Sequence, residues 1–414
     1  MLVVALLLAR TMALSARTLP SPSTLRVAVC GAGVSGGLAA RRLAEAGAAV
    51  TVFEAGRGAG GRTSSRRADV AGERCYFDHG ASYFSPKSEA FADVVAEWVA
   101  AGAAAEWRGR FGSLKRGDDS PARRHDETSS STPWTFELDA DAKPRYVGAS
   151  RMSALPRHLL EHERVSCVFG TRVKAAEQDD DGVWTLRGGS GAALGQYDVL
   201  VSSDRLMGAK PPTTRADTLL ETSAELPNFR AAAGEVESSR ALVGMFGFAD
   251  EKDAFRKIPF DAALVDGDEA ISYVSRESSK PGRGAARELW VAHATPAFAE
   301  RVLDAQIAAV DRGDDGSLAF AEREFLAAFG ALLASWLPSE SLPTPDYCSV
   351  HRWGAAFPSA PPPGRDAAIA DGAFVAVGDF CVGPRVEGAA LSALAGARLV
   401  LDRRAAAVGD ACCK

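Results

Sequence analysis

Three glycines spaced for dinucleotide chemistry follow a short apolar run near the start of the sequence. Gly31, Gly33 and Gly36 come directly after the apolar residues 27–30 and open a run of small residues typical of a helix. In this arrangement the first glycine permits a tight turn, the second lets the backbone approach a pyrophosphate, and the third lets the helix pack closely on the strand. Amide groups at the start of the helix then face the phosphates. The motif predicts a dinucleotide-binding site.

An acidic residue stands where a ribose-binding side chain is expected. Glu54 ends a second predicted buried strand, 50–53, and its carboxylate can accept hydrogen bonds from an adenosine ribose. The same charge would repel a 2′-phosphate, which disfavours NADP at this site. A glycine-rich loop follows, in which Gly61 and Arg62 are suited to wrap a phosphate, with a bidentate contact from the guanidinium group. These residues extend the predicted site along the phosphates.

The glycine motif needs a sheet and a helix to position it. The pattern predicts a helix over 34–46 and buried strands over 50–53, 197–203 and 374–377. The strand 197–203 would return the chain to the opening sheet. The intervening region 205–345 has strand candidates first and helix candidates after them, which is typical of a mixed α+β domain. The sequence therefore predicts an α/β fold with a second domain.

Three further segments have simpler interpretations. Residues 87–101 carry apolar side chains at helical spacing, which predicts an amphipathic helix whose apolar stripe is part of the core. Residues 109–133 contain few apolar side chains and many Ser, Arg and Asp, which predicts an exposed loop. The acidic turn 179–182 predicts the tip of a hairpin with solvated carboxylates, so no metal site is predicted there or elsewhere.

Composition argues against several classes of function. The chain has 414 residues, 47% hydrophobic and 24% charged, enough for a full core and a second domain. Its formal net charge of −6, without a basic stripe, argues against nucleic-acid binding. The seven cysteines lack paired metal-ligand spacing and predict neither a disulfide framework nor a zinc site. Cys412 and Cys413, which precede Lys414, do not form a prenylation box.

The first 25 residues differ from the rest of the chain. Their apolar run, 2–9, is too short to span a bilayer, and Arg10 and Arg17 follow it, with no acidic residue before Glu45. This composition predicts a removable targeting segment for an organelle (plastid or mitochondrion) or for the secretory route. A disordered extension over 1–25 is the alternative. No later stretch predicts a transmembrane helix, so stable membrane insertion is not expected.

Four separated motifs, taken together, resemble one superfamily. They are the glycine motif with Glu54, the Gly61–Arg62 loop, the stretch FDHGASYF over 77–84, and GDF with GPRVEGAALSA over 378–393. In this order they resemble FAD-dependent amine oxidase-like flavoproteins. Within that superfamily, the segments 271–283, 289–295 and 351–353 resemble renalase and its bacterial and plant relatives. The resemblance covers about residues 25–404.

The resemblance implies a Rossmann-like FAD/NAD(P)-binding domain beside a mixed α+β substrate domain. The discontinuous FAD-binding domain would comprise 26–87, 150–205 and 365–405, and the substrate domain 88–149 and 206–364. FAD would be bound without a covalent link, because Cys381 is not in the motif that joins flavin to cysteine. The cofactor-binding residues would be Gly31, Gly33, Gly36, Glu54, Gly61, Arg62, Val173, Asp379, Arg385, Val386 and Glu387. The start of the helix predicted from the stretch 383–390 would stabilise the negative charge that a reduced flavin gains.

The resemblance also implies redox chemistry on a small substrate. A hydride from a reduced nicotinamide dinucleotide or from an amine would reduce FAD, and O2 would reoxidise it with formation of hydrogen peroxide. Candidate catalytic residues are His79, Tyr83, Arg276, His293, His351 and Trp353, each of which could also be an ordinary core residue. Two alternatives stay open: a non-catalytic flavin-fold binding protein and an NAD-dependent dehydrogenase. The oligomeric state is not predicted.

Overall fold

The structure, a computed structural model, describes residues 25–117, 134–140, 143–208, 220–249, 253–284, 287–314, 317–338 and 341–412. Its helices are α1 (Val34–Glu45), α2 (Glu89–Ala100), α3 (Ala154–Leu159), α4 (Pro227–Glu235), α5 (Pro296–Asp311), α6 (Ala319–Leu333), α7 (Asp379–Val382) and α8 (Val386–Cys412). Its strands are β1 (Arg26–Cys30), β2 (Ala49–Glu54), β3 (Arg66–Val70), β4 (Glu73–Phe77), β5 (Ala104–Glu106), β6 (Phe111–Arg116), β7 (Trp134–Leu138), β8 (Tyr146–Gly148), β9 (Val165–Phe169), β10 (Val173–Gln178), β11 (Trp184–Gly188), β12 (Ala193–Tyr197), β13 (Val199–Ser202), β14 (Ser238–Phe248), β15 (Ala262–Asp266), β16 (Ile271–Arg276), β17 (Glu288–Ala294), β18 (Tyr347–Pro358), β19 (Ile369–Asp371) and β20 (Phe374–Ala376). Residues 1–24 of the predicted targeting segment, and Cys413, lie outside the described residues.

A six-stranded sheet forms the frame of the dinucleotide motif. Its order is β19–β20–β13–β1–β2–β9, and every neighbouring pair is parallel except β19 with β20. Strands that are covered on both faces need continuous apolar runs, and residues 27–30 of β1 are accordingly all buried. The predicted α/β Rossmann-like fold is confirmed, and β13 and β20 lie within the predicted strand segments.

Helices cover one face of this sheet, and a small sheet covers part of the other. On the first face, Leu43 of α1 and Val400 of α8 belong to one apolar cluster with Val29 and Val201 of the strands. On the second face, the antiparallel sheet β10–β11–β12 and helix α4 contribute to a separate cluster around Phe374. Helix α1 agrees with the prediction over 34–46. The two clusters hold the glycine loop between rigid layers.

A seven-stranded sheet forms the second part of the fold. Its order is β18–β14–β17–β16–β15–β6–β7, and β15 with β6 is the parallel pair. Helices α5 and α6 cover one face, where Phe246, Trp290, Phe325 and Phe329 lie in one large core. Its strands come from 111–138, 238–294 and 347–358, whereas those of the six-stranded sheet come from 26–54, 165–202 and 369–376. The domain boundaries stated above remain a prediction.

One predicted loop is partly wrong. Residues 111–116, inside the predicted exposed loop 109–133, form strand β6. Phe111 and Leu114 are buried in two different apolar clusters, and β6 is completed by pairing with β15 and β7. With so few apolar anchors, the strand depends on tertiary pairing, which a local pattern does not reveal. Residues 118–133 of the predicted loop lie outside the described part of the chain.

Two other local predictions are confirmed. Helix α2 buries Phe91, Val94, Val95 and Trp98, although Val99 of the predicted stripe is exposed. The acidic turn joins β10 and β11, which pair as antiparallel strands. Within the ranges described above, no helix is both long enough and apolar enough to cross a membrane.

Candidate active site

A cavity of 680 Å³ lies between the two large sheets, a size suited to a cofactor or a small ligand. It begins at the carboxyl ends of β1 and β2, where ligands bind in open α/β sheets, and reaches β14 and β18 of the second sheet. Of the predicted cofactor-binding residues, the cavity is lined by Gly31, Gly33, Glu54, Gly61, Arg62, Val173, Asp379, Arg385 and Val386. Gly36 and Glu387 do not line it.

Glycine is needed at the three positions of the motif for different physical reasons. Gly31 has φ +103°, and a Cβ there would lie 2.3 Å from Ser203 Oγ. A Cβ on Gly36 would lie 1.9 Å from the carbonyl oxygen of Gly31, so this glycine is required by the packing of the turn on α1. A Cβ on Gly33 would meet no protein atom closer than 3.8 Å, the Cα of Gly61. Gly33 therefore leaves room in the cavity, as the close approach of a phosphate requires.

Glu54 ends β2 at the edge of the cavity and is half-buried. Its two carboxylate oxygens accept hydrogen bonds from the backbone amides of Ala32, at 2.8 Å, and Gly56, at 2.6 Å. The carboxylate thus fixes the glycine loop to the loop that follows β2. Val173, at the start of β10, lines the same end of the cavity. This end combines an acidic side chain with an apolar one, which suits an adenosine.

Arg62 and Asp379 join the two ends of the chain across the cavity. Both guanidinium NH groups of Arg62 donate to the Asp379 carboxylate, each at 2.6 Å, over a separation of 317 residues. Burial raises the pKa of Asp379, and the charge of Arg62 opposes that rise. Arg62 remains partly exposed, whereas Asp379 is buried. The pair places a positively charged group beside the glycine loop.

The side chains at the start of α8 lie in two places, some lining the cavity and one buried away from it. Arg385 and Val386 line the cavity. Glu387 is buried, and its carboxylate accepts hydrogen bonds from the amides of Lys87, at 3.2 Å, and Ser88, at 2.8 Å, and from the Ser88 hydroxyl, at 2.7 Å. Its observed contacts therefore lie at the start of α2, and a contact of Glu387 with flavin stays a prediction.

Three of the catalytic candidates form an aromatic wall of the cavity. The rings of His79 and Trp353 are stacked at 5.4 Å, and His351 meets the His79 ring edge-on at 4.3 Å. Trp353 Nε1 donates to the carbonyl oxygen of His79 at 2.8 Å. Arg66 Nη2 lies 3.3 Å from His351 Nδ1, and Ser64 Oγ lies 3.5 Å from His79 Nε2. The wall is fixed by ring contacts and a backbone hydrogen bond.

The histidines of the cavity are held in their neutral form. Burial, with the charges of His351 and Arg66, lowers the pKa of His79 to about 3. Burial and Arg66 lower the pKa of His351 to about 4. His293 also lines the cavity, and burial together with the charge of Lys280 lowers its pKa to about 4. Neutral imidazoles suit a site that moves a hydride more than one that needs a charged acid.

Two catalytic candidates lie elsewhere. Tyr83 lines a separate cavity of 340 Å³ beside Tyr273 and Arg145, and the Arg145 guanidinium lies 5.1 Å from the centre of the Tyr83 ring. Arg276 forms an ion pair with the buried Glu288 at 2.6 Å. Neither residue lines the large cavity, so their catalytic roles stay predictions without support from this placement.

Arg205, which was not among the predicted site residues, lines the cavity just beyond β13. It donates to the carbonyl oxygen of Ala233 at 3.2 Å and to Ser238 Oγ at 2.6 Å, and burial lowers its pKa. Ser203 and Asp204 line the cavity beside it. Their position at the carboxyl end of a predicted strand was the available signal, because ligands bind at that edge.

Comparisons with known proteins agree with this architecture. A family model described as an NAD(P)-binding Rossmann-like domain matches residues 29–98. The structure of putrescine oxidase bound to putrescine is similar over 92% of this chain and 99% of its own, with 14% identity and a TM-score of 0.61. Cyclohexylamine oxidase from Brevibacterium oxydans is similar over 91% of this chain and 99% of its own, with 15% identity and a TM-score of 0.62. An oxidoreductase from Methanosarcina mazei is similar over 91% of this chain and 100% of its own, with 14% identity and a TM-score of 0.59.

These similarities show the fold. The chain combines a Rossmann-like dinucleotide-binding domain with an additional mixed sheet, which is an amine-oxidase-like fold. At this level of identity the comparisons describe the architecture alone, because one fold supports many functions.

Proposed function

We propose that the protein binds FAD non-covalently and acts as a flavin-dependent oxidoreductase on a small hydride donor. The observation that carries the proposal is the single cavity that joins the glycine loop to the His79–Trp353 wall through Arg62 and Asp379. When bound, FAD supplies a two-electron acceptor for the hydride. A nicotinamide-dependent dehydrogenase would need the glycine loop, but it would leave the Arg62–Asp379 pair and the start of α8 without a role.

The residues present fit FAD along the length of the cavity. Glu54 and Val173 would hold the adenosine, and the open space beside Gly33 would admit the pyrophosphate. Arg62 would offset the phosphate charge. At the far end, the backbone at the start of α8 would stabilise negative charge on the reduced ring system. Cys381 supports non-covalent binding, because it is buried and burial raises the pKa of its thiol to about 12.

The charges of the cavity favour an anionic donor over a cationic amine. The described lining residues include the carboxylates Glu54, Asp204 and Asp379, and each is already bonded to a backbone amide or to Arg62. Arg62 is paired with Asp379, and the same lining contains four further arginines, Arg172, Arg205, Arg352 and Arg385. A reduced nicotinamide dinucleotide carries phosphates that such arginines attract. We therefore propose a reduced nicotinamide as the donor, with O2 as the acceptor and hydrogen peroxide as the product.

The side chains of the wall would position the donor without acting as strong acids or bases. A hydride leaves a reduced nicotinamide without prior removal of a proton, so neutral His79, His293 and His351 are compatible with the reaction. Trp353 and His79 offer flat surfaces on which a ring can stack. Exclusion of water and correct orientation are then the main contributions of the protein.

Reconstitution of the purified protein with FAD tests the proposal. We expect a yellow protein with the absorption of bound flavin, and much weaker binding of FMN because FMN lacks the adenosine that Glu54 and Val173 would hold. Anaerobic addition of a reduced nicotinamide dinucleotide should bleach the flavin, and an aliphatic diamine should not. Air should then restore the colour and release one hydrogen peroxide for each nicotinamide oxidised.

The outcomes separate the parts of the proposal. A protein that stays colourless after reconstitution with FAD contradicts the flavin assignment itself. Bleaching by the diamine and not by the nicotinamide leaves the flavin assignment intact and overturns the choice of donor. Binding of NAD⁺ to a colourless protein, with reduction of NAD⁺ by a substrate, would favour the dehydrogenase alternative.

A further inference from the structure

Four charged side chains are buried together directly behind the aromatic wall. They are Asp78, Glu277, Lys280 and Arg283, and we refer to them as the buried quartet. Asp78 and Glu277 are 0% exposed and Lys280 is 2% exposed. Lys280 Nζ lies 3.2 Å from Asp78 Oδ2 and also contacts Glu277, and Arg283 donates to both carboxylate oxygens of Asp78. Two carboxyl groups thus face two basic groups, and burial raises the pKa of Glu277 while the charge of Lys280 opposes that rise.

Stability alone does not account for such a group. Removing four charges from water costs free energy that their mutual attraction roughly offsets, and well-packed apolar residues are often as stable or more stable. Burial opposes ionisation of Asp78, but Arg283 and Lys280 outweigh it and lower its pKa. Hydrogen-bonded charges have, however, stricter geometry than apolar contacts. The quartet is therefore suited to hold the chain segments that are bonded to it in fixed positions.

The segments that the quartet holds include one that lines the cavity. Asp78 Oδ1 accepts from Ser65 Oγ at 2.6 Å and from the amide of Met152 at 2.9 Å, and the amide of Asp78 donates to Glu277 Oε2 at 3.0 Å. These bonds join three separate segments at Asp78, two through its carboxylate and one through its backbone amide. Asp78 directly precedes His79, Gly80 and Ala81, which line the cavity.

The cavity-lining segment is held at three points. Asp78 anchors its beginning, Trp353 donates to the His79 carbonyl, and the amide of Ala81 donates to the carbonyl oxygen of Arg62 at 2.9 Å. On its other side, Lys280 influences His293, whose pKa its charge lowers in addition to the effect of burial. The quartet thus reaches two faces of the cavity without lining it.

We propose that the buried quartet is a positioning device for the reaction, in which Asp78, held by Lys280 and Arg283, sets the place of His79–Ala81 and of Arg62 relative to the bound flavin. The four residues act through their neighbours, since none of them lines the cavity. The inference rests on the proposed function for the identity of the cofactor. Its geometric part concerns the apoprotein alone.

The first test replaces Asp78 by its isosteric amide. In Asp78→Asn we expect FAD to bind at least about tenfold more weakly and the flavin to be reduced on the order of 10²-fold more slowly, with a shifted visible absorption band. The matched control is Asp198→Asn, which changes a buried carboxylate paired with Arg26 far from the cavity lining. The control should lower the melting temperature but keep the affinity for FAD, the spectrum and the reduction rate of the wild type.

Lys280 and Ser65 provide graded variants. Lys280→Met should weaken FAD binding as Asp78→Asn does, and Lys280→Arg should restore much of it, because the charge is kept. Ser65→Ala removes one hydrogen bond to Asp78 and should give a smaller effect of the same kind, so it decides the question if the charge variants fail to fold. Wild-type FAD affinity and reduction rate in folded Asp78→Asn and Ser65→Ala would overturn the proposal.

A readout on the apoprotein separates this proposal from the proposed function. The imidazole signals of His79 and His293 should shift in the NMR spectra of Asp78→Asn and Lys280→Met, and the pKa of His293 should rise in Lys280→Met because a neighbouring positive charge is gone. They should not move in Asp198→Asn. If wild-type protein binds no FAD, the proposed function fails, and unchanged imidazole signals in the quartet variants would independently contradict the positioning role.

Discussion

Gly33 and Gly36 belong to one motif, but they differ in the space that surrounds a Cβ atom added to each. A Cβ at Gly36 would lie 1.9 Å from a backbone oxygen, whereas at Gly33 it would lie 3.8 Å from its nearest protein neighbour. The first glycine is needed by the folded chain itself. The second is needed only when a ligand fills the cavity.

This difference predicts opposite behaviour of two alanine variants. Gly36→Ala should lower the free energy of unfolding by about 1–3 kcal/mol, because the turn must move. Gly33→Ala should leave the unfolding of the apoprotein nearly unchanged and weaken FAD binding by at least about tenfold. Thermal unfolding and fluorescence titration with FAD measure the two effects. Equal losses of stability in both variants would contradict the distinction.

The cavity histidines predict an acid-dependent loss of stability. Each has a pKa near 6.5 when unfolded and about 3 or 4 in the folded chain, so the unfolded state takes up protons first as the pH falls. Their contribution to stability is complete only when the pH is well above 6.5, and it decreases as the pH falls toward 3. The buried carboxyls Glu277, Glu288 and Asp379 have raised pKa values and act in the opposite direction.

A histidine variant separates the effect of histidine protonation on stability from that of the buried carboxyls. The difference in melting temperature between wild type and His351→Asn should be constant above pH 7 and should shift in favour of the variant between pH 6.5 and pH 4.5. Direct NMR titration of the imidazoles is the second measurement. An imidazole that titrates near 6.5 in the folded protein would show that the cavity is more hydrated than its burial indicates.

At the scale of elements, the site is built where loops from distant parts of the chain meet. The loop after β2 supplies Arg62, the short helix α7 supplies Asp379, and β18 supplies His351 and Trp353. The bidentate Arg62–Asp379 pair fastens the first two elements to each other. An arginine can make this fork, and a lysine cannot.

Arg62→Lys therefore tests the junction of the two elements. We expect FAD affinity to fall by about tenfold while the free energy of unfolding changes by less than about 1 kcal/mol, because Arg62 is partly exposed. Arg41→Lys, in the surface pair of Arg41 with Glu45, is the control and should change neither quantity. Isothermal titration calorimetry measures the affinity for FAD, and chemical denaturation measures the free energy of unfolding. Unchanged FAD affinity in Arg62→Lys would remove Arg62 from the binding site.

At the scale of the whole molecule, charge is distributed unevenly. The chain has a formal net charge of −6, yet the cavity lining is rich in arginine. A basic cavity in an acidic protein attracts anions locally and is screened by salt beyond about 8–10 Å.

This field predicts how turnover depends on ionic strength. The kcat/KM for a reduced nicotinamide dinucleotide should fall several-fold as salt rises from about 0.01 M to about 0.5 M, because screening weakens attraction of the phosphates. A reduced nicotinamide analogue without phosphates should show little salt dependence and serves as the control. Equal salt dependence of the two donors would argue that the arginines do not steer the substrate.

The sequence by itself determined the dinucleotide loop, the parallel strands and the helix between them. These features depend on short-range order: glycines at fixed spacing, continuous apolar runs and helical periodicity act within a few residues. Glu54 and Arg62 could be named for the same reason, since they follow the motif closely.

Only the tertiary structure decided the rest. It excluded Tyr83 and Arg276 from the lining of the large cavity, and it showed that part of a polar segment forms β6. It also showed that the carboxylate of Glu387, in α8, accepts hydrogen bonds from the start of α2. It also joined Asp78 to Lys280, 202 residues away. Contacts of this kind depend on how two sheets meet, and no local pattern in the chain specifies which side chains will face each other across that junction.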